Sequence, residues 1–506
     1  MRVQRDGGPM DLQTLLEGLL APGACPRQLA VSALTMDSRL VQPGDVFLAC
    51  AGDRVHGLAY ADQARAAGAV LVLWEPPWGG GPIGGDYLEV PKLRARAGEI
   101  AARLLRRPAQ GLTVIGVTGT DGKTSCAHFL VQCLDLADEP CGLIGTLGWG
   151  RIDALKPVSH TTPDPLALQQ MLACLRDSGC VRVVMEVSSH GLDQGRVAGI
   201  DFDLAVLTNL SRDHLDYHGD AESYAEAKAR LFRWPGLNAV VLNADDAFGR
   251  ALAQDRDADR CVLYGLSDSP VDGHGSGPGG GVRWVRGRNL RLTRDGLELQ
   301  VDSAWGSGDL RSHLLGRFNA SNLLAVLSVL LLQGRSLRRA LARIATLRTV
   351  PGRMERFGGG DLPVVVVDYA HTPHALEQVL GALREHSPGR LTCVFGCGGD
   401  RDAGKRPQMA QAAERWADRI IVTDDNPRSE DPDRIVAQVM AGFRRPSRVA
   451  VVRDRRLAIN QAVGCAGRTD TVLIAGKGHE DCQLVGDRRL PFSDRDVVRQ
   501  VLGAAA

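Results

Sequence analysis

The sequence contains no long hydrophobic run. Its longest apolar stretch, residues 323–332, is about half of the roughly 20 residues that a membrane-spanning helix requires, so it predicts a buried helix instead. The first residues, MRVQRDGGPMDL, also lack the apolar segment of a secretory signal peptide. These two absences predict a cytoplasmic protein with no membrane insertion.

An excess of one charge and a zinc-type cysteine spacing are absent as well. The formal net charge is +1, which disfavours nucleic acid as a partner, although a balanced sum says nothing about a local basic pocket. The 12 cysteines show no paired zinc spacing, and the nearest look-alike, Cys393 with Cys397, is CxxxC in a glycine-rich loop. Scattered thiols of this kind are typical of reduced core residues in a cytosolic protein.

The length and the alternation of apolar runs predict a multidomain α/β protein. A chain of 506 residues corresponds to about three domains, and the segments 106–111 and 350–352 are typical of linkers. After the first linker, short apolar runs alternate with helical patterns, which favours parallel sheets with helices on both faces. Residues 268–310 instead predict a Gly-rich loop followed by an antiparallel insertion. The predicted domains are residues 1–108, 109–347 and 348–506.

A glycine loop follows the first predicted strand of the second domain. Residues 112–117 run into TGTDGKTS and then into a helical pattern. Glycines let backbone N–H groups approach a phosphate, and a helix N-terminus adds a favourable partial charge. Lys123 is placed to reach the outer phosphates, and the Thr124 hydroxyl is placed to bind magnesium. Val117 departs from the strict P-loop pattern, and the alternative is a glycine turn with an incidental lysine, so the loop alone predicts a nucleotide-binding enzyme.

Three further stretches follow in order: MEVSSHGL at 185–192, TNLSRDHLDYHG at 208–219 and DYAHTP at 368–373. Together with TGTDGKT they resemble the Mur ligase family, which shares a superfamily with folylpolyglutamate synthetase, and the resemblance covers essentially the whole chain. It implies a small α/β UDP-binding domain, a central P-loop parallel-sheet ATPase domain and a C-terminal Rossmann-like amino-acid-binding domain. It also implies a monomeric ATP-dependent ligase of peptidoglycan synthesis, which forms an amide through an acyl phosphate and uses ATP and Mg²⁺.

The resemblance implies a catalytic and metal-binding set. The matching family positions bind magnesium through Thr124, Glu186, His214 and Lys228, the last after its amine is carbamoylated, and Lys123 joins Glu186, His214 and Lys228 as a catalytic residue. Considered singly, Glu186 has the alternative role of a strand-end salt bridge and His214 that of a helix cap or core histidine. Lys228 alone predicts a solvated helix lysine.

The resemblance also implies an ATP site to which the central and C-terminal domains both contribute. Asp121 stands where the family usually has Asn, and a carboxylate there repels a triphosphate. Asn319 and Asn322 have helix capping as their alternative role. Closure about a hinge at 350–352 would bring the third domain to the nucleotide. The expected ATP-binding residues are Gly119, Thr120, Asp121, Gly122, Lys123, Thr124, Ser125, Asn319, Asn322, Arg353 and Asp368.

The resemblance places a UDP-sugar-peptide site in the first two domains. Arg196 suits a substrate that carries carboxylates and a pyrophosphate. The Asp-Ser-Arg that contains Ser38 is short and has a plain turn as its alternative, and His160 stands where the family often has Asn. The expected contact residues are Met36, Ser38, Asp53, Arg54, Val55, His160, Thr161, Thr162, Ser188, Gln194 and Arg196.

The sequence Asp-Asn-Pro-Arg at 425–428 marks the diaminopimelate-adding members of the family. Diaminopimelate differs from lysine by a second carboxylate, and Arg428 offers that carboxylate a planar fork. A buried Arg428 left without it would be unpaired, so lysine is expected to be rejected. A plain turn is the alternative role of Asn426-Pro427. The expected diaminopimelate-binding residues are Arg401, Asp425, Asn426, Pro427, Arg428, Gly476 and Glu480, the last suited to an ammonium group.

The predicted function is therefore the ATP-dependent addition of meso-2,6-diaminopimelate to UDP-N-acetylmuramoyl-L-alanyl-D-glutamate. Four alternatives stay open at this point. A lysine-adding ligase is disfavoured by Arg428, and a folylpolyglutamate synthetase is disfavoured by Arg428 and the UDP-type first domain. A P-loop ATPase that moves nucleic acid is disfavoured by the balanced charge. A non-catalytic nucleotide-binding switch or scaffold is disfavoured by the joint presence of Lys123, Thr124, Glu186 and His214.

Overall fold

The structure is a computed structural model that describes residues 1–20, 28–52, 55–80, 84, 86–254, 257, 260–266 and 282–504. These residues divide into two compact units. The first comprises mainly Met1–Gly265 and Ser328–Gly334, and the second comprises mainly Val285–Leu327 and the chain from Arg335 onward. The expected substrate contacts Asp53 and Arg54 lie outside the described residues.

The N-terminal part of the first unit contains β1 (Arg2–Gln4), β2 (Met10–Asp11), α1 (Leu12–Leu16), β3 (Ala30–Val31), β4 (Ala33–Thr35), β5 (Val46–Ala49), α2 (Ala61–Ala66), β6 (Leu71–Trp74), β7 (Tyr87–Glu89) and α3 (Leu93–Leu104). One sheet has the order β1-β4-β5-β6-β7 and is parallel except for β1. Val46 and Leu48 share a buried cluster with α3, whereas Phe47 and Ala49 share one with α2, because successive strand residues point to opposite faces.

The rest of the first unit contains β8 (Thr113–Thr118), α4 (Lys123–Leu134), β9 (Cys141–Gly145), β10 (Gly148–Gly150), α5 (Pro165–Asp177), β11 (Arg182–Glu186), α6 (Ser189–Asp193), β12 (Leu204–Leu207), α7 (Leu215–His218), α8 (Ala221–Phe232), β13 (Ala239–Asn243), α9 (Ala247–Ala253) and β14 (Cys261–Gly265). The strands lie in the order β10-β9-β11-β8-β12-β13-β14, and only β10 is antiparallel to its neighbour. The predicted parallel sheet is confirmed, and the carboxyl ends of β8, β9, β11 and β12 meet at the edge where such sheets bind ligands.

An antiparallel meander and two helices follow: β15 (Arg283–Thr293), β16 (Gly296–Ser303), β17 (Gly306–Ser312), α10 (Arg317–Leu332) and α11 (Leu337–Ala345). They belong to the second unit except for the first two residues of β15 and the end of α10 from Ser328, which belong to the first. The pairing of β15 with β16 and of β16 with β17 confirms the predicted antiparallel insertion, while the Gly-rich segment before it lies outside the described residues. The apolar run 323–332 is helical and nearly all buried, as predicted. Among the described helices, none has the length and apolar character to cross a membrane.

The C-terminal part of the second unit contains β18 (Glu355–Gly358), β19 (Val364–Asp368), α12 (Pro373–His386), β20 (Leu391–Phe395), α13 (Lys405–Trp416), β21 (Arg419–Val422), α14 (Pro432–Met440), β22 (Val449–Val451), α15 (Arg455–Gly464), β23 (Thr471–Ala475), β24 (Cys482–Val485), β25 (Arg488–Pro491) and α16 (Asp494–Ala504). The main sheet has the order β18-β19-β23-β20-β21-β22 and is parallel except for β18. The predicted Rossmann-like sheet is confirmed. The loops after β20, β21 and β23 begin at one edge of this sheet and carry the expected amino-acid site.

Candidate active site

The glycine loop between β8 and α4 is held against the loop that follows β12. Gly119 has a φ of +149°, and a Cβ there would lie 1.8 Å from Oγ1 of Thr208, so both the backbone angle and the space require glycine. Gly122 has a φ of +81° directly before α4. The backbone N–H of Asp121 donates to Oδ1 of Asn209 at 2.9 Å, and the Thr208 hydroxyl donates to the Asp121 carbonyl at 2.6 Å. Hydrogen bonds to the loop after β12 therefore hold the glycine loop in this conformation.

The side-chain nitrogens of two lysines converge on one carbonyl of this loop. Nζ of Lys123 donates to the carbonyls of Gly119 and Thr120 at 2.9 and 2.8 Å, and Nζ of Lys228 on α8 donates to the same Gly119 carbonyl at 2.8 Å. Lys228 is only 1% exposed, so its interpretation as a solvated helix lysine is wrong. Burial, followed by the charge of Lys123, lowers the pKa of Lys228 to about 6. Its amine is therefore mainly neutral at pH 7.

Glu186, at the end of β11, is the centre of a hydroxyl cluster. Its Oε2 accepts from Oγ1 of Thr124 at 2.8 Å and from Oγ1 of Thr146 at 3.1 Å, and its Oε1 accepts from the Thr146 backbone N–H at 2.8 Å. The side chain is 1% exposed, and this burial raises the pKa of Glu186. Thr146 was not predicted from the sequence as a site residue, because it belongs to no motif. It follows β9, which pairs with β11, so only the sheet order reveals it.

Four of the expected sugar-peptide contacts follow β10 in the chain and lie beside Glu186. Oγ1 of Thr162 donates to the Glu186 carbonyl at 3.0 Å and accepts from the Ser188 N–H at 2.9 Å. Arg196 donates from Nη1 to the Thr162 carbonyl at 2.8 Å, and its Nε and Nη2 donate to Oε1 of Gln194 at 2.9 and 2.7 Å. Burial lowers the pKa of Arg196. One hydrogen-bonded group is therefore formed by Thr162, Ser188, Gln194 and Arg196.

The two remaining contacts of that segment differ in exposure. Oγ1 of Thr161 lies 3.1 Å from Oγ1 of Thr146, so Thr161 belongs to the hydroxyl cluster of Glu186. His160 is exposed and contacts Oγ of Ser159 at 2.9 Å through Nδ1. The structure therefore brings Thr161 to the carboxylate and leaves His160 at the surface.

His214 is placed among aromatic rings. Its φ is +52°, its ring centroid lies 4.8 Å from that of His190 and 6.2 Å from that of Tyr224, and its Nε2 lies 3.4 Å from Oδ2 of Asp213. His214 is the N-cap residue of α7, but its ring makes no capping hydrogen bond, and because the ring is half-exposed the alternative role of a core histidine is wrong. Within the described part of the chain, no three His, Cys, Asp or Glu side chains form a group that could hold a metal ion. A metal ion bound here would therefore need at least one ligand of another kind, such as the Thr124 hydroxyl.

The N-terminal part of the first unit contains a cavity of about 590 Å³. Met36, Ser38 and Val55, three of the expected UDP contacts, line it. Oγ of Ser38 donates to Oε1 of Gln63 at 2.8 Å. Gln63, Phe47, Tyr60 and Arg94 also line the cavity and were missed from the sequence, because only the packing of α2 and α3 on the sheet brings them together.

In the second unit, Asp368 ends β19 and is buried. Its carboxylate accepts from the backbone N–H of Met354 at 2.7 Å and of Ala370 at 2.8 Å, while burial raises its pKa. The guanidinium carbon of Arg353 lies 4.9 Å from the centre of the Tyr369 ring. Asp368 therefore fixes the chain next to Arg353.

Asn319 and Asn322 are buried inside α10, which begins at Arg317, so the helix-capping interpretation is wrong. Nδ2 of Asn319 donates to the Leu315 carbonyl at 2.8 Å, and Nδ2 of Asn322 donates to Oδ1 of Asn319 at 3.2 Å. The two amides are thus adjacent on one side of the helix.

The loop after β21 carries the expected amino-acid specificity residues. Asn426 is buried, its Nδ2 donates to Oε2 of Glu480 at 2.9 Å, and its Oδ1 accepts from Nζ of Lys477 at 2.9 Å. A plain turn is therefore not its only role. Arg428 has a φ of +52°, and its Nη1 donates to the Gly399 carbonyl at 2.8 Å. Lys477 was not predicted from the sequence as a site residue, although it directly follows one expected contact, Gly476, and precedes another, Glu480, by three residues.

The remaining amino-acid contacts surround this loop. Gly476 has a φ of +116°, and a Cβ there would lie 2.6 Å from Oδ2 of Asp425, so glycine is needed for the approach of the two loops. Pro427 is buried, whereas Arg401 is exposed. The structure thus brings together Asp425, Asn426, Gly476 and Glu480, with Arg401 at the surface.

Comparison with known proteins agrees with this arrangement. Three family models match the chain in order: "Mur ligase family, catalytic domain" at residues 30–99, "Mur ligase middle domain" at 117–330 and "Mur ligase, glutamate ligase domain" at 352–478. The chain therefore belongs to the Mur ligase family, whose members are ATP-dependent ligases that form amide bonds.

Individual relatives and solved structures show which members of the family the chain resembles. The chain is 51% identical to the UDP-N-acetylmuramoyl-L-alanyl-D-glutamate–2,6-diaminopimelate ligase of Alkalilimnicola ehrlichii, over 94% of this chain and 95% of the relative. The enzyme of the same name from Pseudomonas aeruginosa is 50% identical, over 94% and 96%. A solved structure with that name is 37% identical, covers 98% of this chain and 99% of its own, and has a TM-score of 0.75. Mycobacterium tuberculosis folylpolyglutamate synthase, solved with ADP and AMPPCP, is 21% identical over 76% and 92% with a TM-score of 0.57, which shows a shared fold.

Proposed function

We propose that this protein joins meso-2,6-diaminopimelate to the D-glutamate of UDP-N-acetylmuramoyl-L-alanyl-D-glutamate, with ATP converted to ADP and phosphate, in peptidoglycan synthesis. The observation that carries the proposal is the identity of 51% along nearly the whole chain with an enzyme of that name. The Asp-Asn-Pro-Arg loop, which packs against Lys477 and Glu480, agrees with it.

The reaction needs an activated carboxylate, because an amine does not displace hydroxide from a carboxylate at neutral pH. In the first step a carboxylate oxygen of D-glutamate attacks the γ-phosphorus of ATP, the bond to the β-phosphate oxygen breaks, and an acyl phosphate and ADP form. In the second step the amine of diaminopimelate attacks the acyl carbon, phosphate leaves, and the nitrogen loses a proton. The proposed role of Lys123 and of the α4 N-terminus is to stabilise the negative charge of the outer phosphates.

The chain's own oxygen atoms fit magnesium. Oγ1 of Thr124 and the Glu186 carboxylate lie 2.8 Å apart, and hard oxygen ligands are those that Mg²⁺ prefers. We assign His214 as a further ligand. When bound, the cation reduces the repulsion between the substrate carboxylate and the triphosphate.

Lys228 is proposed to be carbamoylated. A pKa of about 6 leaves its amine neutral at pH 7, and the neutral amine is the form that attacks carbon dioxide. The nitrogen forms a bond to carbon, a C=O electron pair moves to oxygen, and the nitrogen loses a proton. The product is an anion in place of a neutral amine, which adds an oxygen ligand near the phosphate loop.

The other assignments belong to the same proposal. The nucleotide contacts are the loop Gly119–Ser125 with Asn319, Asn322, Arg353 and Asp368. The cavity that contains Ser38 takes the UDP end, with Asp53 and Arg54 from the adjacent sequence, and the group around Arg196 takes the sugar-peptide with His160. We further propose domains at residues 1–108, 109–347 and 348–506, a monomer, and a cytoplasmic location.

Selection of the amino acid is assigned to the loops after β20, β21 and β23. Arg428 is proposed to bind the second carboxylate of diaminopimelate, and Glu480 an ammonium group, with Arg401, Asp425 and Gly476 beside them. Arg428 is only partly buried, so lysine is proposed to be disfavoured because it lacks the charge-assisted hydrogen bond to that guanidinium, which is worth about 1.5–3 kcal/mol.

The test is phosphate release by the purified protein with ATP, magnesium and the UDP-linked dipeptide, with meso-diaminopimelate or L-lysine offered separately. Release with diaminopimelate alone is expected. Release with lysine instead would keep the ligase and refute the amino-acid selection. The absence of release with both would refute the proposed reaction, and folate substrates would then be the next to test.

A further inference from the structure

Lys477 is a fully buried cation in the loop after β23. Its side chain is 0% exposed, and it lies between Gly476 and Gly478, which have φ values of +116° and +53°. A Cβ on Gly476 would lie 2.6 Å from Oδ2 of Asp425, and a Cβ on Gly478 would lie 2.7 Å from the Gly352 carbonyl oxygen. The two glycines therefore allow the tight backbone path that buries the Lys477 side chain.

The ammonium group of Lys477 closes a triangle of hydrogen bonds. Nζ donates to Oδ1 of Asn426 at 2.9 Å and to Oε2 of Glu480 at 2.8 Å, and Nδ2 of Asn426 donates to the same Oε2 at 2.9 Å. The backbone N–H of Leu484 also donates to Oδ1 of Asn426, at 3.0 Å. Two donors on one amide oxygen fix the orientation of the Asn426 side chain.

Glu480 is left with one oxygen available. Both side-chain donors of the triangle act on Oε2, and Oε1 accepts no hydrogen bond from any residue that the structure describes. The side chain is 29% exposed, so solvent and a ligand can reach it. Burial alone would raise the pKa of Glu480, but the hydrogen bonds from Lys477 and Asn426 lower it. Glu480 is therefore an anion with a free acceptor.

Stability alone does not explain a buried ammonium group at this place. Removing a cation from water costs several kcal/mol, and a well-packed apolar side chain of similar volume is often equally stable or more so. The desolvated charge instead acts on two side chains that the proposed function assigns to the amino-acid substrate.

We propose that Lys477 is a positioning residue for the amino-acid substrate: it orients the Asn426 amide and holds Glu480 so that Oε1 receives an ammonium group of the incoming amino acid. This inference rests on the proposed function, which assigns Asn426 and Glu480 to that substrate. Lys477 makes no contact with the substrate itself and acts through Asn426 and Glu480.

The first test compares Lys477→Met with the wild type in steady-state phosphate release. Methionine keeps the approximate volume and removes the charge. The KM for diaminopimelate is expected to rise about 10- to 100-fold, the loss that corresponds to a charge-assisted hydrogen bond. kcat is expected to stay within about threefold, and the KM values for ATP and for the UDP-linked dipeptide are expected to stay unchanged. Val472→Ala, in the buried part of β23, controls for general destabilisation and should leave all three KM values unchanged.

The second test asks whether Lys477 acts through Glu480. In a Glu480→Gln background, Lys477→Met is expected to raise the KM for diaminopimelate much less than it does in the wild type, because the Glu480 acceptor is already lost and only the effect on Asn426 remains. An equal rise in all three KM values, an unchanged KM for diaminopimelate, or a full effect in the Glu480→Gln background would overturn the inference. If Lys477→Met does not fold, Lys477→Gln gives the same comparison, since it also removes the charge.

The wild-type reaction distinguishes a failure of the proposed function from a failure of the positioning role of Lys477. If the wild type uses lysine and not diaminopimelate, the proposed function has failed, and the Lys477 comparison is made with lysine, whose ammonium groups can meet Glu480 in the same way. If the wild type uses diaminopimelate and Lys477→Met has the wild-type KM, only the positioning role has failed.

Discussion

Replacing Lys228 by methionine is predicted to stabilise the substrate-free protein near neutral pH, and the gain is predicted to shrink as the pH rises. In the wild type this amine is buried against the Gly119 carbonyl and near the charge of Lys123. Folding therefore desolvates this amine, which lowers the free energy of unfolding. Methionine has no amine to desolvate.

The magnitude follows from the two pKa values of Lys228, which are 10.5 for a solvated lysine and about 6 in the folded protein. Between these values the unfolded chain binds one more proton than the folded chain, so the free energy of unfolding of the wild type rises with pH. The slope is about 1.4 kcal/mol per pH unit. The advantage of Lys228→Met is therefore largest below pH 6 and decreases by about 3 kcal/mol between pH 7 and pH 9.

The assay is urea unfolding of the wild type and Lys228→Met at pH 7 and pH 9, without nucleotide and in buffer free of carbon dioxide. Lys156→Met, at an exposed lysine of the same unit, is the matched control and should have the same small effect at both pH values. The advantage of Lys228→Met in free energy of unfolding should shrink from pH 7 to pH 9. If it stays the same or grows, Lys228 is not a buried neutral amine.

Three further predictions concern the two sites. Gly119→Ala should destabilise the first unit by about 2–4 kcal/mol and abolish phosphate release, because Cβ would lie 1.8 Å from Oγ1 of Thr208; a wild-type urea midpoint would contradict this. Thr124→Val removes the hydroxyl that donates to Glu186 and should lower phosphate release at least about 100-fold with little change in the thermal midpoint; retained turnover would show that the hydroxyl is not needed. Arg428→Ala should raise the KM for diaminopimelate about 10- to 100-fold and narrow its preference over lysine; an unchanged preference would exclude Arg428 from selection.

The sequence was sufficient for the parts of the fold and site in which neighbours in the chain are neighbours in space. The strand–loop–helix around Lys123 is one example, since two glycines and an apolar run of β type specify it locally. The strands of the C-terminal sheet are another, because parallel strands that are buried on both faces are continuous apolar runs. The loop that carries Asn426 and Arg428 follows directly from the strand before it.

Residues that depend on packing between distant segments were not predictable in this way. Thr146 meets Glu186 only because β9 pairs with β11, and Lys477 meets Asn426 only because β23 and β21 lie in the same sheet. Lys228 is an intermediate case. It follows Tyr224 by four residues and precedes Leu231 by three, so it lies on the buried face of α8, a spacing that the sequence contains.

The most direct test of the proposed function is a competition between two amino acids in one reaction. The purified protein is given ATP, magnesium, UDP-N-acetylmuramoyl-L-alanyl-D-glutamate and equal amounts of meso-diaminopimelate and L-lysine, and the product is identified by mass. The diaminopimelate adduct is expected, with one phosphate released for each amide bond formed. A predominant lysine adduct, or hydrolysis of ATP without any adduct, would contradict it.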